Sequence, residues 1–293
     1  MTRLAAPSQM PTADRSRRVH VQVLRSGSGG NAILVEAGPT RLLVDAGLPA
    51  ENLTRLLAPM ALAPEDLTAV LLTHEHDDHA RGAGPLSRMA GIPVLANEGT
   101  LLRGAPFLGG ARTERFRTGA PFQVGEVEVD PFPLPHDATE PVGFLLAAGG
   151  VRVLLAYDLG GLTGPLLERL PAADLILLEA NYDPRLLGVG TYPWFLKNRI
   201  ISATGHLSND HAAEAVLRAA RGGRAQTVLL IHLSDANNLL PLARDTVRWA
   251  LEREGARATS VEAVRSNGAG PIWESTMGAL EPPAALPVDA AAP

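Results

Sequence analysis

The segment Thr73-His74-Glu75-His76-Asp77-Asp78-His79 holds three histidines and three acids between His74 and His79. The apolar run Ala69-Val70-Leu71-Leu72 leads into it, and a helix-like stretch follows. So dense a polar cluster cannot lie in a core without partners, because each group buried unpaired costs free energy. The chain has no cysteine, which excludes disulfides, thiolate metal sites and a cysteine nucleophile. A metal would have to be held by imidazole nitrogen and carboxylate oxygen, the donors this segment concentrates. The spacing is H-x-H-x-D-H. A zincin helix, H-E-x-x-H, needs histidine where this chain has Asp78, so that mode of zinc binding is excluded. On an extended strand end His74 and His76 face one side. Asp78 and His79 then turn into the following helix and can face a second metal.

In that spacing His74, His76, Asp78 and His79 resemble the signature of the metallo-β-lactamase superfamily. The other residues of that pattern follow in order. Asp45 stands in Leu43-Val44-Asp45-Ala46-Gly47, and His136 in Leu134-Pro135-His136-Asp137. Asp158 ends Leu155-Ala156-Tyr157-Asp158, and His232 ends Leu230-Ile231-His232. The resemblance implies two divalent metal ions. His74, His76 and His136 would hold one; Asp78, His79 and His232 would hold the other; Asp158 would bridge them. Asp45 would orient the histidine loop through hydrogen bonds. Two metals about 3.5–4 Å apart lower the pKa of a shared water and stabilise charge on an attacked ester. A metal-bridging hydroxide is therefore the expected nucleophile. A His/carboxylate site admits Zn²⁺, Mn²⁺ or Fe.

Further segments resemble one branch, the YycJ (WalJ) group, over about Val21 to Trp249. They are Ser26-Gly27-Ser28-Gly29-Gly30-Asn31, Glu179-Ala180-Asn181-Tyr182-Asp183, Tyr192-Pro193 with Leu196-Lys197-Asn198-Arg199-Ile200, and Gly205-His206-Leu207-Ser208-Asn209. The first is not a dinucleotide fingerprint, since its G-x-G-x-x-G spacing breaks at Ala32. Gly29 stands where that group commonly has a second serine. The branch implies cleavage of DNA, as a 5′-to-3′ exonuclease. Asp78 and His206 are the candidate catalytic side chains, with His206 touching the phosphate or protonating the leaving oxygen. Ser28, Asn31, Lys197, Arg199, Ser208 and Asn209 are candidate substrate contacts, with Arg185, Ser234 and Asn237 near them. Ser208 and Asn209 open a helix, whose free N–H groups favour an anion.

The elements that must carry these residues read as follows. Alternating strands cover Val19–Leu24, Ala32–Glu36 and Arg41–Asp45, separated by tight turns, and predict an antiparallel meander. Helices are expected over 50–58 and 79–90, with a strand at Val94–Ala96 and strand-like sequence over 111–133. Val142–Ala147 and Val151–Ala156 predict a hairpin. Strands at Leu175–Glu179 and Val228–Ile231 alternate with helices at Asn209–Arg221, capped by Ser208, and Leu239–Glu254. Strands first, then alternating helices and strands, twice over, predict an α/β (αββα) fold: two mixed sheets face to face with helices outside. One domain is expected over 19–275, with disordered tails at 1–18 and 276–293.

With 46% hydrophobic residues in 293, a large core is available. The net charge of −5 excludes a chain coated in positive charge, although a local basic patch would survive in that sum. No run reaches the roughly 18 apolar residues of a membrane span, and the N-terminal segment lacks an apolar signal region. Cytoplasmic location is the expectation. The alternative function is a small-molecule hydrolase of the same fold, acting on a cyclic phosphodiester, thioester or lactone. A nuclease should show a basic groove leading to the metals; a small-molecule enzyme should show a closed pocket.

Overall fold

The structure is a computed structural model describing residues 18–222, 226–256, 259–266, 268–275 and 280–281. β1 (Val19–Arg25), β2 (Ala32–Ala37) and β3 (Thr40–Val44) form the expected antiparallel meander. β4 (Ala69–Leu71), β5 (Val94–Ala96) and β6 (Thr113–Arg115) extend it in parallel. The second sheet starts antiparallel, with β7 (Phe122–Val124), β8 (Val127–Pro133), β9 (Val142–Ala148) and β10 (Val151–Ala156). It continues in parallel through β11 (Leu175–Glu179), β12 (Thr227–Ile231) and β13 (Ser260–Ala263). β14 (Ile272–Glu274) and β15 (Leu280–Glu281) then return to the first sheet beside β1. The two sheets have eight and seven strands, and both are mixed, as expected.

Among the described residues five α-helices belong to the first half: α1 (Ala50–Leu57), α2 (Asp77–Ala80), α3 (Ala83–Ala90), α4 (Glu98–Arg103) and α5 (Ala105–Leu108). Five belong to the second: α6 (Gly164–Arg169), α7 (Pro184–Val189), α8 (Trp194–Ile200), α9 (Asn209–Ala220) and α10 (Leu240–Arg253). Three apolar layers separate the four layers of structure. Val21, Ile33, Val44 and Leu71 meet Phe144, Leu155, Leu177 and Ile231 between the sheets. Their strand neighbours face outward: Leu43 and Val70 pack with Leu53 and Leu86 of α1 and α3. On the other side Ile176, Leu178 and Leu230 pack with Ala212, Val216 and Val247 of α9 and α10. The period of two thus divides each strand between two apolar layers, which explains runs with no polar face. Each fully buried leucine contributes roughly 1.5–3 kcal/mol. No helix among the described residues is long and apolar enough to cross a membrane.

Two expectations change. Of the expected tails, residues 1–17, 276–279 and 282–293 lie outside the described residues, while Leu280–Glu281 adds an edge strand. The helix expected over 79–90 begins earlier, at Asp77, and is broken between Ala80 and Ala83. The break follows from a close approach of two backbones. The Gly82 N–H donates to the Ala46 carbonyl at 2.8 Å, and a Cβ on Gly82 would lie 1.9 Å from the Leu48 carbonyl oxygen. Gly47 is tighter still: its Cβ would sit 1.6 Å from the Asp78 carbonyl oxygen. Asn31 N–H donates to Asp78 O, Ala46 N–H to His79 O and Gly47 N–H to Asn31 O, all within 2.9 Å. The histidine loop is therefore clamped, backbone to backbone, against residues 31 and 45–48.

That clamp predicts a large cost for one methyl group. Gly47→Ala should lose about 2 kcal/mol or more of stability in urea unfolding, because backbone must move. Gly161→Ala, which meets nothing within 4 Å, should stay within about 0.5 kcal/mol. Equal midpoints for the two variants would sink the clamp.

Candidate metal centre

The site lies at the carboxyl ends of parallel strands, the usual place for a ligand in α/β sheets. Asp45 follows β3, Thr73 and His74 follow β4, Asp158 follows β10, Glu179 ends β11 and His232 follows β12. Asp45, Asp158 and His232 have φ of 60°, 55° and 56°. Left-handed backbone at a non-glycine residue costs about 1–3 kcal/mol and persists where the surroundings over-determine it. Asp and His are among the residues that tolerate it best. The turn lets each strand stop abruptly and present its last side chain to the gap between the sheets.

Among the described residues four overlapping groups of donors result, two of them as follows. The rings of His74, His76 and His136 lie 4.6–5.1 Å apart, centre to centre, and their ligand atoms lie within 4.8 Å of one another. Asp78, His79 and His232 form a second group by the same measure. Asp158 stands between them. Its Oδ2 is 3.9 Å from His74 Nε2 and 2.7 Å from His79 Nε2, and its Oδ1 is 3.3 Å from His232 Nδ1.

The ring orientations are held from behind. His79 Nδ1 lies 2.7 Å from Asp45 Oδ2, His232 Nδ1 2.9 Å from Glu179 Oε1, His136 Nδ1 3.2 Å from the Gly205 carbonyl and His74 Nδ1 3.0 Å from Thr73 Oγ1. Each contact occupies Nδ1 and leaves Nε2 for the site, the pattern by which outer hydrogen bonds aim metal ligands. Asp45 is fully buried. It accepts from the Thr73 backbone N–H (2.9 Å), the Thr73 hydroxyl (2.8 Å) and the Tyr157 hydroxyl (2.7 Å), as well as from His79. His74 Nε2 and His232 Nε2 are buried and have no hydrogen-bond partner. A buried orphan acceptor is costly; two of them beside a carboxylate fit a cation.

The electrostatics agree. Burial and then the charge of His79 hold His74 well below the ordinary histidine range. Burial opposes charge on His79 too, but Asp45, Asp158 and Asp78 outweigh it and hold the ring well above that range. Burial works against charge on Asp158, yet His232 and His79 keep it well below the usual carboxylate range. For His206, burial is overcome by Glu179 and Asp158, and its pKa is pushed up to about 11. The centre stabilises positive charge among its carboxylates, whether protons or metal ions carry it.

A pocket of about 300 Å³ opens over these groups. Ser28, His76, Asp78, His136, Asp158, Arg199, His206, His232 and Ser234 line it, with Asp137, Asn181, Tyr192 and Leu196. Arg199 donates to Asp137 Oδ2 from Nε and Nη2, both at 2.8 Å. His206 Nδ1 is 2.8 Å from Glu179 Oε1 and 3.3 Å from Asp158 Oδ1.

Several expected substrate contacts lie elsewhere. Asn31 is buried: its Oδ1 accepts from the Gly27 N–H and its Nδ2 lies 3.0 Å from His79 Nε2. It serves the loop and does not line the pocket. Ser208 and Asn209 are buried at the start of α9. Two of the amides that could bind an anion there are engaged: Asn209 N–H donates to Tyr182 O and His211 N–H to Ser208 Oγ. Lys197 Nζ donates to the Gly188 carbonyl, and neither Lys197 nor Arg185 lines the pocket. Asn237 is buried, with its N–H on Ser234 Oγ. Sequence reasoning assigned no role to Glu179, Thr73 or Tyr157. The signal for Glu179 was present, an acid closing the apolar strand Leu175-Ile176-Leu177-Leu178. Thr73 and Tyr157 carried none, because their partners come from other strands.

Residues 40–233 match the beta-lactamase superfamily domain. The chain is 38% identical over 230 residues to the exodeoxyribonuclease WalJ of Streptococcus pneumoniae, covering 77% of this chain and 85% of that protein. It is 35% identical over 240 residues to the exodeoxyribonuclease YycJ of Bacillus anthracis, covering 81% and 90%. Among solved structures, the metallo-beta-lactamase fold protein YhfI from Bacillus subtilis superposes with a TM-score of 0.66 at 20% identity, over 88% of this chain and all of that one.

The hydrogen bonds behind these donors predict a metal-binding phenotype at a residue outside both donor groups. Asp45→Ala should weaken zinc binding about 10- to 100-fold in a competitive chelator titration. Tyr157→Phe, which removes one of several donors to Asp45, should cost about 1 kcal/mol of stability and little affinity. Wild-type zinc affinity in Asp45→Ala would count against the arrangement.

Proposed function

The chain belongs to the beta-lactamase superfamily, in the group of WalJ and YycJ, and from that premise we propose that it is a two-metal phosphodiesterase cleaving DNA from an end, in the 5′-to-3′ sense. The observation that carries the reading is Asp158 standing between two groups of histidines at the floor of a pocket that His76, Asp78, His136, Asp158 and His232 line. His74, His76 and His136 would hold one ion, Asp78, His79 and His232 the other, with Asp158 reaching both. Donors of this kind suit Zn²⁺ or Mn²⁺. When bound, such a pair activates water at neutral pH and neutralises charge on the phosphate.

The protein's own groups supply the rest. The ring of His206 is held at Nδ1 by Glu179, so Nε2 is the position from which it can give a proton to the leaving oxygen. Glu179 stabilises the charged ring before transfer and fixes its orientation throughout, the arrangement general acid catalysis needs. Glu179 also holds His232, so one carboxylate aligns a metal ligand and the acid. Arg199, steadied by Asp137, offers the pocket wall a cation for the phosphate. Asp78 lines the pocket and would help hold the second ion.

One observation favours a second reading, a hydrolase of a small phosphodiester. Among the described residues Arg199 is the one arginine or lysine lining the pocket, whereas a nuclease held by phosphate contacts would present several.

The assay is turnover of 5′-phosphorylated single- and double-stranded DNA, with Zn²⁺ or Mn²⁺ supplied. Nucleotide release should vanish in Asp158→Ala together with metal content. His206→Ala should keep both metal equivalents and lose about 10²–10⁴ in kcat. A metal-loaded wild type that leaves DNA intact but cleaves a small phosphodiester would move the assignment to the second reading. Loss of metal in His206→Ala would make that histidine a ligand instead of an acid.

A further inference from the structure

The phosphodiesterase reading leaves open how a strand is gripped by a pocket so poor in cations, and the surface beside it supplies an answer. Val189, Trp194, Phe195 and Ile201 are 84%, 73%, 75% and 52% exposed. These four large apolar side chains fall within one short segment of sequence, and exposed large apolar side chains so concentrated call for a partner. The same segment forms a wall of the pocket through Tyr192, Leu196, Arg199 and Ile200. On α8, Leu196, Arg199 and Ile200 are spaced i, i+3, i+4 and share the pocket face. Phe195 precedes Arg199 by four residues, so the two are neighbours on the helix surface beside that face. Trp194 and Ile201 are seven apart and lie on the opposite side of the helix.

The charge balance decides what such a ring is for. Arg199 is already engaged by Asp137. Asp78, Asp137 and Asp158 line the same pocket, and the whole chain carries −5. Two bound ions would offset Asp78 and Asp158 and meet the scissile phosphate, but beyond that phosphate the pocket lining offers Arg199 as its one Arg or Lys among the described residues, so side-chain neutralisation contributes little to holding the rest of the strand. Stacking of a base on an aromatic side chain needs no positive charge, and every base offers a face for it. A base can reach an exposed ring in this way only when unpaired. A second copy of the chain seated on Phe195 would cover the rim through which substrate enters, whereas the Trp194–Ile201 side leaves the mouth clear.

We infer that Phe195 is a stacking platform for an unpaired base of the DNA end, placing the adjoining phosphate between Arg199 and the histidines. The substrate class that follows is a single-stranded or frayed end. The proposal rests on the phosphodiesterase reading.

The test compares KM for two single-stranded oligonucleotides, one carrying normal bases at the 5′ end and one carrying abasic nucleotides there. Wild type, Phe195→Ala and Phe195→Trp are measured, with the oligomeric mass of each by light scattering. Wild type should prefer the base-bearing end by about tenfold in KM. Phe195→Ala should lose that preference and Phe195→Trp should keep it, with no change in mass. A preference that persists in Phe195→Ala, or a wild type that cuts both ends with equal KM, overturns the stacking role while leaving the nuclease reading intact. A change in mass that accompanies the loss makes the patch an interface between copies and also overturns it. A wild type that cleaves bis(p-nitrophenyl) phosphate but neither oligonucleotide overturns the nuclease reading and this inference with it.

Discussion

Asp45 is a carboxylate with no access to solvent that accepts hydrogen bonds from Thr73, His79 and Tyr157. Burying that charge would cost several kcal/mol were its oxygens not satisfied. Hydrogen bonds to a charged group are worth about 1.5–3 kcal/mol each, and the carboxylate receives four. The donors come from both sheets: Thr73 follows β4 of the first, and Tyr157 follows β10 of the second. The network therefore fixes the distance between two strand ends that the apolar core brings together only approximately. It also fixes His79, which has Asp45 on one nitrogen and Asp158 on the other. That axis spans the gap between the sheets, and the remaining candidate donors are arranged around it.

The left-handed residues and the clamped glycines serve the same end by different means. Three functional side chains sit on backbone that costs free energy, where a relaxed strand would point them to a sheet face. The Gly47 and Gly82 contacts replace side-chain packing with backbone hydrogen bonds. Such bonds are short and directional, so the histidine loop is located more narrowly than packing alone would manage. Two devices that weaken the fold locally are offset by the apolar layers on either side of each sheet.

Polar groups in the pocket also constrain one another. Every carboxylate at the centre raises the affinity of neighbouring histidines for positive charge, and every charged histidine lowers that of the next. Glu179 couples His206 to His232 directly. A substitution at any of these residues is felt by several, so single effects should not add. At the rim the logic reverses: charge is scarce, and exposed apolar surface takes its place.

Much of this was legible in the chain itself. Alternation and turn residues located the meander, the later hairpin and the buried parallel strands, because period-two burial and glycine turns are local properties. The H-x-H-x-D-H run and the acids and histidines at strand ends named the centre, since a cysteine-free chain has few other ways to hold a metal. Local sequence could not say which way a side chain faces once strands from different sheets meet. Asn31, Ser208 and Asn209 read as substrate contacts, yet each is buried and engaged within the protein: Asn31 by Gly27 and His79, Ser208 by the His211 N–H, and Asn209 by Tyr182 and Asn238. Glu179, Thr73 and Tyr157 matter through partners far off in sequence, Asp45 for Thr73 and Tyr157 and both His206 and His232 for Glu179, and no spacing rule reaches that far. The helix over 79–90 broke for the same reason, an approach of residues 46–48 that only the packed sheets impose. Sequence alone determined which donors exist and that they close strands. Tertiary structure decided which of them meet, because burial and long-range hydrogen bonding are properties of the assembled sheets.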